Sequence, residues 1–161
     1  MINLKVKSYL EFIFVLSIIS LISAFFIEYA LGHKPCNLCL LERIPYGLAI
    51  ILIILNYISK ISGKLIILLL ILTFIFSLII STYHFGIEQG FFEESSVCKL
   101  KNFTEGMTKE DLLKQLSNKI VSCKDVTFRI FGLSLTSINI VINIIFIITL
   151  TKIYIKNEKN K

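Results

Sequence analysis

Two cysteines separated by two residues, Cys36 and Cys39, are the residues whose types and spacing most directly suggest chemistry. Thiols at that spacing can close into a disulfide and reopen, so the pair can carry two electrons. At about 100° per residue, Cys36, Cys39 and Arg43 fall within roughly 60° of one helical face. If a helix begins near Pro35, its N-terminal amides and the guanidinium both favour thiolate, the reactive form. The stretch therefore predicts a redox-active thiol pair.

The other two cysteines, Cys98 and Cys123, lie 25 residues apart. A structural zinc site usually brings a second closely spaced pair, so this spacing argues against a metal, and we expect none. The two residues either form a static disulfide, worth roughly 3 kcal/mol, or take part in thiol–disulfide exchange. His84, at the end of an apolar run, is either an ordinary interfacial histidine or a donor to a ligand carbonyl. Arg43 has a similar alternative, because an arginine at a helix end often serves only as an interfacial anchor.

The composition is that of a membrane protein. Of the 161 residues, 55% are hydrophobic, with 13 Phe and no Trp, which leaves too little polar surface for a soluble domain of this length. The net charge of +6 does not indicate nucleic-acid binding, because the lysines cluster at the ends of apolar runs, where membrane proteins carry them. Four charge-free intervals contain 16 to 22 residues each, close to the ~20 that cross a bilayer as a helix. We therefore predict an all-α integral membrane protein, a four-transmembrane-helix bundle.

The predicted spans form one membrane domain, 1–161. They cover about 9–29, 41–59, 65–84 and 131–152. Pro45 removes a backbone donor early in the second span, so the turn with the cysteines could be a separate short helical piece. Lys5 and Lys7 before an apolar run also fit a signal peptide. We expect a retained helix instead, because the apolar stretch is long and lacks a small-x-small cleavage site.

The distribution of lysine predicts the orientation. Basic residues flank the N-terminus, the turn between the second and third spans, and the C-terminal tail; they are Lys5, Lys7, Lys60, Lys64, Lys152, Lys156, Lys159 and Lys161. In a four-helix topology these segments share one side, which the excess of positive charge makes cytoplasmic, together with both termini. The outer loops, about 30–40 and 85–130, then hold all four cysteines on the face where disulfides persist.

The long outer loop is predicted to contain a short amphipathic helix. Thr108 followed three residues later by Asp111 resembles an N-terminal cap. The apolar residues that come next fall near one helical face; they are Leu112, Leu113, Leu116, Ile120 and Val121. Such a helix would lie flat on the membrane surface.

An ordered set of motifs resembles the DsbB family of membrane thiol oxidoreductases. The motifs are Pro35-Cys36-x-Leu38-Cys39-x-x-Glu42-Arg43 at the second span, Tyr83-His84 at the end of the third, Cys98 in the outer loop, and Cys123 shortly before Phe131-Gly132-Leu133-Ser134. Their order along nearly the whole chain makes the resemblance specific, although none of them is decisive alone.

The resemblance implies a function and a relay of cysteines. Proteins of this family re-oxidise DsbA, a periplasmic thioredoxin-fold disulfide donor, and pass the electrons to a membrane quinone, ubiquinone or menaquinone. The implied catalytic residues are Cys36, Cys39, Cys98 and Cys123. Cys98 would form a mixed disulfide with the DsbA-like partner, and Cys123 would then exchange with Cys36. That exchange would leave Cys39 as the thiolate that faces the quinone.

The resemblance also implies a quinone site and a location. Cys39, Arg43 and His84 would contact the quinone, with the arginine holding it and the histidine as a helper. The protein would lie in the bacterial inner membrane and bind lipid and quinone but no nucleic acid. Two alternatives remain open: a thiol oxidoreductase resembling vitamin K epoxide reductase, and a non-catalytic membrane protein with two structural disulfides. The early position of Cys-x-x-Cys speaks against the first, because in that family the active pair tends to come late.

Overall fold

Four long helices form the protein in this computed structural model, which describes residues 4–58, 63–94, 98, 122–124, 129–130 and 132–159. The helices are α1 (Leu4–Tyr29), α2 (Asn37–Ile58), α3 (Gly63–Glu88) and α4 (Leu135–Lys159). Each contains a segment long and apolar enough to cross a membrane. The predicted all-α, four-span bundle is confirmed. The amphipathic helix expected in the outer loop lies outside the described residues.

The second helix begins at Asn37, one turn before the expected start near residue 41. It continues through Pro45, so the cysteine turn is part of α2 rather than a separate piece. A break would expose several backbone groups to lipid, whereas a proline in a continuous helix frees only one carbonyl. The third helix also runs one turn further than expected, to Glu88.

The four helices pack in an order that leaves one side open. The third helix packs against both α2 and α4, whereas α1 packs mainly on α2 and barely touches α4. The core between them contains Phe74, whose ring meets Phe146 edge to face at 4.8 Å between centroids and lies 6.1 Å from the ring of Tyr46. Large apolar side chains such as Ile22 and Phe26 are exposed on the outer surface, as expected for helices that face lipid.

A short hairpin leads into α4. Strand β1 (Arg129–Ile130) pairs antiparallel with β2 (Leu133–Ser134), with Arg129 opposite Ser134. Gly132 in the turn has a φ of 84°, a conformation that glycine adopts at little cost. The Ser134 hydroxyl accepts a hydrogen bond from the Ser137 amide at 3.2 Å, so it caps the N-terminus of α4. The fourth helix therefore begins at Leu135, four residues after the predicted start of the fourth span near residue 131.

After the end of α3 the chain turns back and packs against the last turns of that helix. Gly90, with a φ of 78°, donates its amide to the Ile87 carbonyl, which stops the helix as glycine caps commonly do. The Phe92 ring then stacks on Tyr83 with centroids 5.6 Å apart. A side chain at Gly86 would place its Cβ 2.2 Å from the Phe92 ring, so glycine is needed where the loop returns.

Candidate functional site

The thiol pair lies at the N-terminus of α2. The Cys36 carbonyl accepts the Leu40 amide, and its Sγ accepts the Cys39 amide, both at 3.2 Å. Cys36 is therefore the N-cap residue of α2, with sulfur in the place usually taken by a serine or aspartate oxygen. The two sulfurs lie 2.8 Å apart and both cysteines are free, since a disulfide would bring them to about 2.05 Å.

Hydrogen bonding stabilises the thiolate form of Cys36, which lies just outside the membrane-spanning part of α2. The Cys39 thiol is the largest influence and the His84 ring a further one, and together they lower the pKa of Cys36 to about 4 despite the opposing effect of burial. The lowered pKa favours the thiolate at the helix N-cap, where a hydrogen bond joins the sulfur to that of Cys39.

His84 and Glu42 stand behind the thiol pair as a hydrogen-bonded dyad. His84 is 2% exposed and Glu42 8%. The histidine Nδ1 lies 2.8 Å from Glu42 Oε1, and its Nε2 lies 3.5 Å from Cys36 Sγ. Because a carboxylate can only accept hydrogen bonds, Nδ1 must carry the hydrogen of its bond to Glu42. Nε2 is then the ring nitrogen that faces the Cys36 sulfur. A thiol, a base and a group that orients the base can together activate a nucleophile.

Polar side chains of α4 complete the packing around this dyad. Asn139 donates to Glu42 Oε2 at 2.9 Å, and Thr136 donates to Glu88 Oε1 at 2.6 Å while its oxygen lies 3.2 Å from His84 Nδ1. Sequence reasoning missed Glu42, Asn139 and Thr136 as parts of the site. The spacing of Asn139 and Asn143, four residues apart in an apolar run, could have indicated Asn139, because polar residues in membrane helices face the bundle interior.

Arg43 is held by the last turns of α1. One guanidinium nitrogen donates to Glu28 Oε2 at 2.5 Å, and the other lies 3.5 Å from the Ala24 carbonyl oxygen. The Phe25 ring centroid is 5.1 Å from the guanidinium carbon, a cation–π distance. Glu28 is thus the ion-pair partner of Arg43.

A cavity of about 370 Å³ opens beside the thiols, between α1, α2 and α4. Its apolar walls come from α1 and α4, and α2 contributes the polar side chains Cys39, Glu42, Arg43 and Tyr46. Ile19, one of the wall residues, is 51% exposed, so the cavity lining continues onto the outer surface of the bundle. Neither Cys36 nor His84 lines the cavity. Of the three residues expected to bind a cofactor, Cys39 and Arg43 therefore reach it, whereas His84 faces the Cys36 sulfur.

The outer-loop cysteines form a disulfide, Cys98–Cys123. Both are buried, and they belong to the same packed cluster as Cys36, Leu38 and Ile87. The fold thus brings the two cysteine pairs together from distant parts of the chain. Glu94 tethers the second segment, since its Oε1 accepts from the Ser122 hydroxyl and, at 3.1 Å, from the Lys124 amide.

The donor atoms of Cys36, Cys39 and His84 lie within 4.8 Å of one another, close enough to suggest a metal site. Two thiolates on one tetrahedral zinc would lie about 3.8 Å apart, given Zn–S bonds of about 2.3 Å. The observed sulfur–sulfur distance of 2.8 Å is shorter and suits sulfur–sulfur chemistry better.

A four-span bundle with a free thiol pair packed against a disulfide defines a membrane thiol–disulfide protein. Comparison with known proteins agrees: residues 7–153 match the family model described as disulfide bond formation protein DsbB. The chain belongs to the DsbB family, and is thus a multi-pass membrane protein of the disulfide-forming oxidoreductases. RP370 of Rickettsia prowazekii (strain Madrid E), described as uncharacterized, is 32% identical over 148 residues, which cover 91% of this chain and 86% of that protein.

Proposed function

We propose that the protein takes two electrons from a soluble dithiol protein outside the cytoplasmic membrane and passes them to a membrane quinone. One observation carries this proposal. The Cys36–Cys39 pair touches an apolar cavity through Cys39 and packs through Cys36 in one cluster with the Cys98–Cys123 disulfide. The same two sulfurs thus have a second cysteine pair, through which electrons can arrive, on one side and room for an acceptor on the other.

The energetics favour a quinone as the acceptor. A DsbA-type disulfide has a reduction potential of about −120 mV, and a glutathione pool near about −200 mV would oppose its regeneration by roughly 3.7 kcal/mol over two electrons. A quinone is a stronger oxidant, and it dissolves in the bilayer. The apolar walls of the cavity and their continuity with the membrane-facing surface at Ile19 fit a lipid-soluble ring, and Arg43 offers a donor to its carbonyl oxygen.

The cysteines divide the transfer into balanced exchanges. A partner thiolate attacks Cys98 and displaces Cys123, which attacks Cys36 of the Cys36–Cys39 disulfide and displaces Cys39. The second partner thiol then releases Cys98, and Cys98 in turn releases Cys36 by re-forming its bond to Cys123. The partner leaves as a disulfide, and Cys36 and Cys39 hold the two electrons. In the structure Cys98–Cys123 is closed and Cys36 and Cys39 are free. These are the oxidation states that the four cysteines would have after the last of these exchanges.

The last step re-forms the bond between Cys36 and Cys39. Two electrons leave the sulfurs, and the quinone, when bound, accepts them with two protons to give the quinol. Cys39 is the sulfur that faces the cavity. We propose that His84 acts on Cys36 by holding its thiolate through Nε2, with Glu42 orienting the ring. Arg43, oriented by Glu28, would hold a carbonyl oxygen of the quinone in the cavity that it lines.

We also propose the orientation and partner that the family suggests. The N- and C-termini lie on the cytoplasmic side of a bacterial inner membrane, and the cysteines on the periplasmic side, where a DsbA-like thioredoxin-fold protein reaches Cys98. The lysine-rich flanks of the spans support this arrangement. A membrane-impermeant maleimide added to intact spheroplasts should label reduced Cys39. Labelling that occurs only after lysis would contradict the orientation.

The proposed activity is tested by steady-state turnover. The purified protein in detergent is mixed with a reduced DsbA-type protein and a short-chain ubiquinone or menaquinone, and quinone absorbance is followed. We expect quinol to form at one equivalent per partner disulfide. No quinol with either quinone, with the partner thiols unchanged, would overturn the proposal and leave the disulfide as a structural feature.

A further inference from the structure

We propose that Asn139 of α4 is a positioning residue for the thiol chemistry, an inference that rests on the proposed function. Its side-chain amide links Glu42 of α2 to α3 and α4. We propose that it thereby keeps the Glu42–His84 dyad in the orientation in which His84 Nε2 faces the Cys36 sulfur. No expectation from the sequence assigned Asn139 any role. Because Asn139 also lines the cavity, its role in orienting the dyad has to be separated from direct contact with a ligand.

The side-chain amide of Asn139 uses all of its hydrogen-bonding capacity. The nitrogen donates to Glu42 Oε2 at 2.9 Å and to Ser81 Oγ at 2.8 Å. The oxygen accepts from the Tyr46 hydroxyl and, at 3.4 Å, from Asn143. An amide has two donor hydrogens and two acceptor lone pairs, so each has one partner.

The directions of these bonds are mutually consistent. The Ser81 hydroxyl donates to the Ser77 carbonyl at 2.9 Å, so it must accept from Asn139. The Glu42 carboxylate can only accept, which fixes the amide nitrogen toward it. The Tyr46 hydroxyl therefore donates to the amide oxygen. A fully partnered amide between packed helices is strongly specified, because any rotation leaves one of its polar atoms unpaired.

The network controls the dyad through the Glu42 carboxylate. Its Oε1 holds His84 Nδ1, and its Oε2 is held by Asn139. Without the amide, Oε2 loses its donor and the carboxylate is free to turn toward another one. The imidazole would then lose the orientation that places Nε2 at 3.5 Å from Cys36 Sγ. Asn139 is thus coupled to the sulfur through two intervening side chains.

The test compares Asn139→Leu with the wild type and with Asn56→Leu. Asn56 provides a matched control because it is, like Asn139, a half-buried asparagine of a membrane span, but it neither lines the cavity nor belongs to the network. For Asn139→Leu we expect kcat for quinone reduction to fall about tenfold, the low end for loss of an orienting hydrogen bond. KM for quinone should change less than about twofold, since uniform binding is untouched. Asn56→Leu should match the wild type in both.

A double-mutant cycle with Glu42→Gln shows whether Asn139 acts through Glu42. If it does, Asn139→Leu should lower kcat by less than about twofold in the Glu42→Gln background, because coupled effects do not add. A full tenfold loss in that background, a rise in KM with kcat unchanged, or no effect at all would overturn the inference. Should Asn139→Leu not fold, Asn139→Ser removes the amide with less added apolar bulk and is subject to the same criteria. A wild-type protein that reduces no quinone would refute the proposed function instead.

Discussion

The two cysteine pairs differ in what surrounds them. Cys36 and Cys39 lie on a helix N-terminus, with a histidine–glutamate dyad behind one sulfur and a cavity beside the other. Cys98 and Cys123 are closed into a disulfide that joins two segments of the outer loop. The pair that we propose to reduce the quinone is thus held at a helix end, whereas the pair proposed to meet a partner is carried by a loop. What distinguishes the Cys36–Cys39 pair is therefore not its spacing alone but the helix end and the dyad that surround it.

The largest expected effect comes from removing the cavity-facing thiol. Cys39→Ser leaves Cys36 without a sulfur to bond, so the last step has no product disulfide. We expect quinone reduction to fall by more than about 10³-fold, as for loss of a catalytic nucleophile. Quinol formation measured by absorbance tests this. Turnover near the wild-type rate would show that the thiol pair is not the electron donor to quinone.

Breaking the other pair should separate the two halves of the reaction. Cys98→Ser removes the sulfur proposed to meet the partner, so partner-driven turnover should drop by more than about 100-fold. The reduced Cys36–Cys39 pair should still be oxidised by added quinone within about twofold of the wild-type rate, because its surroundings are intact. Partner oxidation at the normal rate would mean that the proposed relay order is wrong.

Arg43 sharpens the comparison, because it lines the cavity and lies outside the cluster that joins the two cysteine pairs. Arg43→Ala should raise KM for quinone about tenfold, the value of one charged hydrogen bond, and should leave exchange between the cysteine pairs unchanged. Lys64→Ala is the matched control, since it removes a cation that faces Tyr154 rather than the cavity. An unaltered KM for quinone in Arg43→Ala would mean that the arginine only anchors α2.

The smallest effect concerns pH. The pKa of Cys36 is lowered to about 4, so its thiolate should persist as pH falls and disappear only near that value. Alkylation of Cys36 in the reduced protein should slow less than about threefold between pH 8 and 6, whereas an ordinary thiol would slow nearly 100-fold. Iodoacetamide labelling read by peptide mass spectrometry measures this. A 100-fold decline would contradict the environment described for Cys36.

Local patterns predicted most of the fold. Length and apolarity define a membrane span within one segment of chain, so four helices could be read directly, and the placement of both sulfurs and Arg43 on the first turns of α2 followed from helical geometry. The start of α2 could not be predicted in this way, because the effect of Pro45 depends on the surrounding lipid and packing rather than on its neighbours in sequence.

The polar network could not be predicted for a related reason. Asn139 and Glu42 are 97 residues apart, and their contact depends on how α2 and α4 pack. The same holds for the approach of the Cys98–Cys123 disulfide to Cys36. Sequence spacing identifies which residues could react, but only the packing of the bundle shows which of them meet.

One single-turnover measurement tests the central claim most directly. The protein is prepared as in the structure, with Cys36 and Cys39 reduced and Cys98–Cys123 closed, and one equivalent of short-chain quinone is added without oxygen. The account predicts one quinol per protein and a new Cys36–Cys39 disulfide, identified by peptide mapping. Quinone that stays oxidised while both thiols remain free would contradict it.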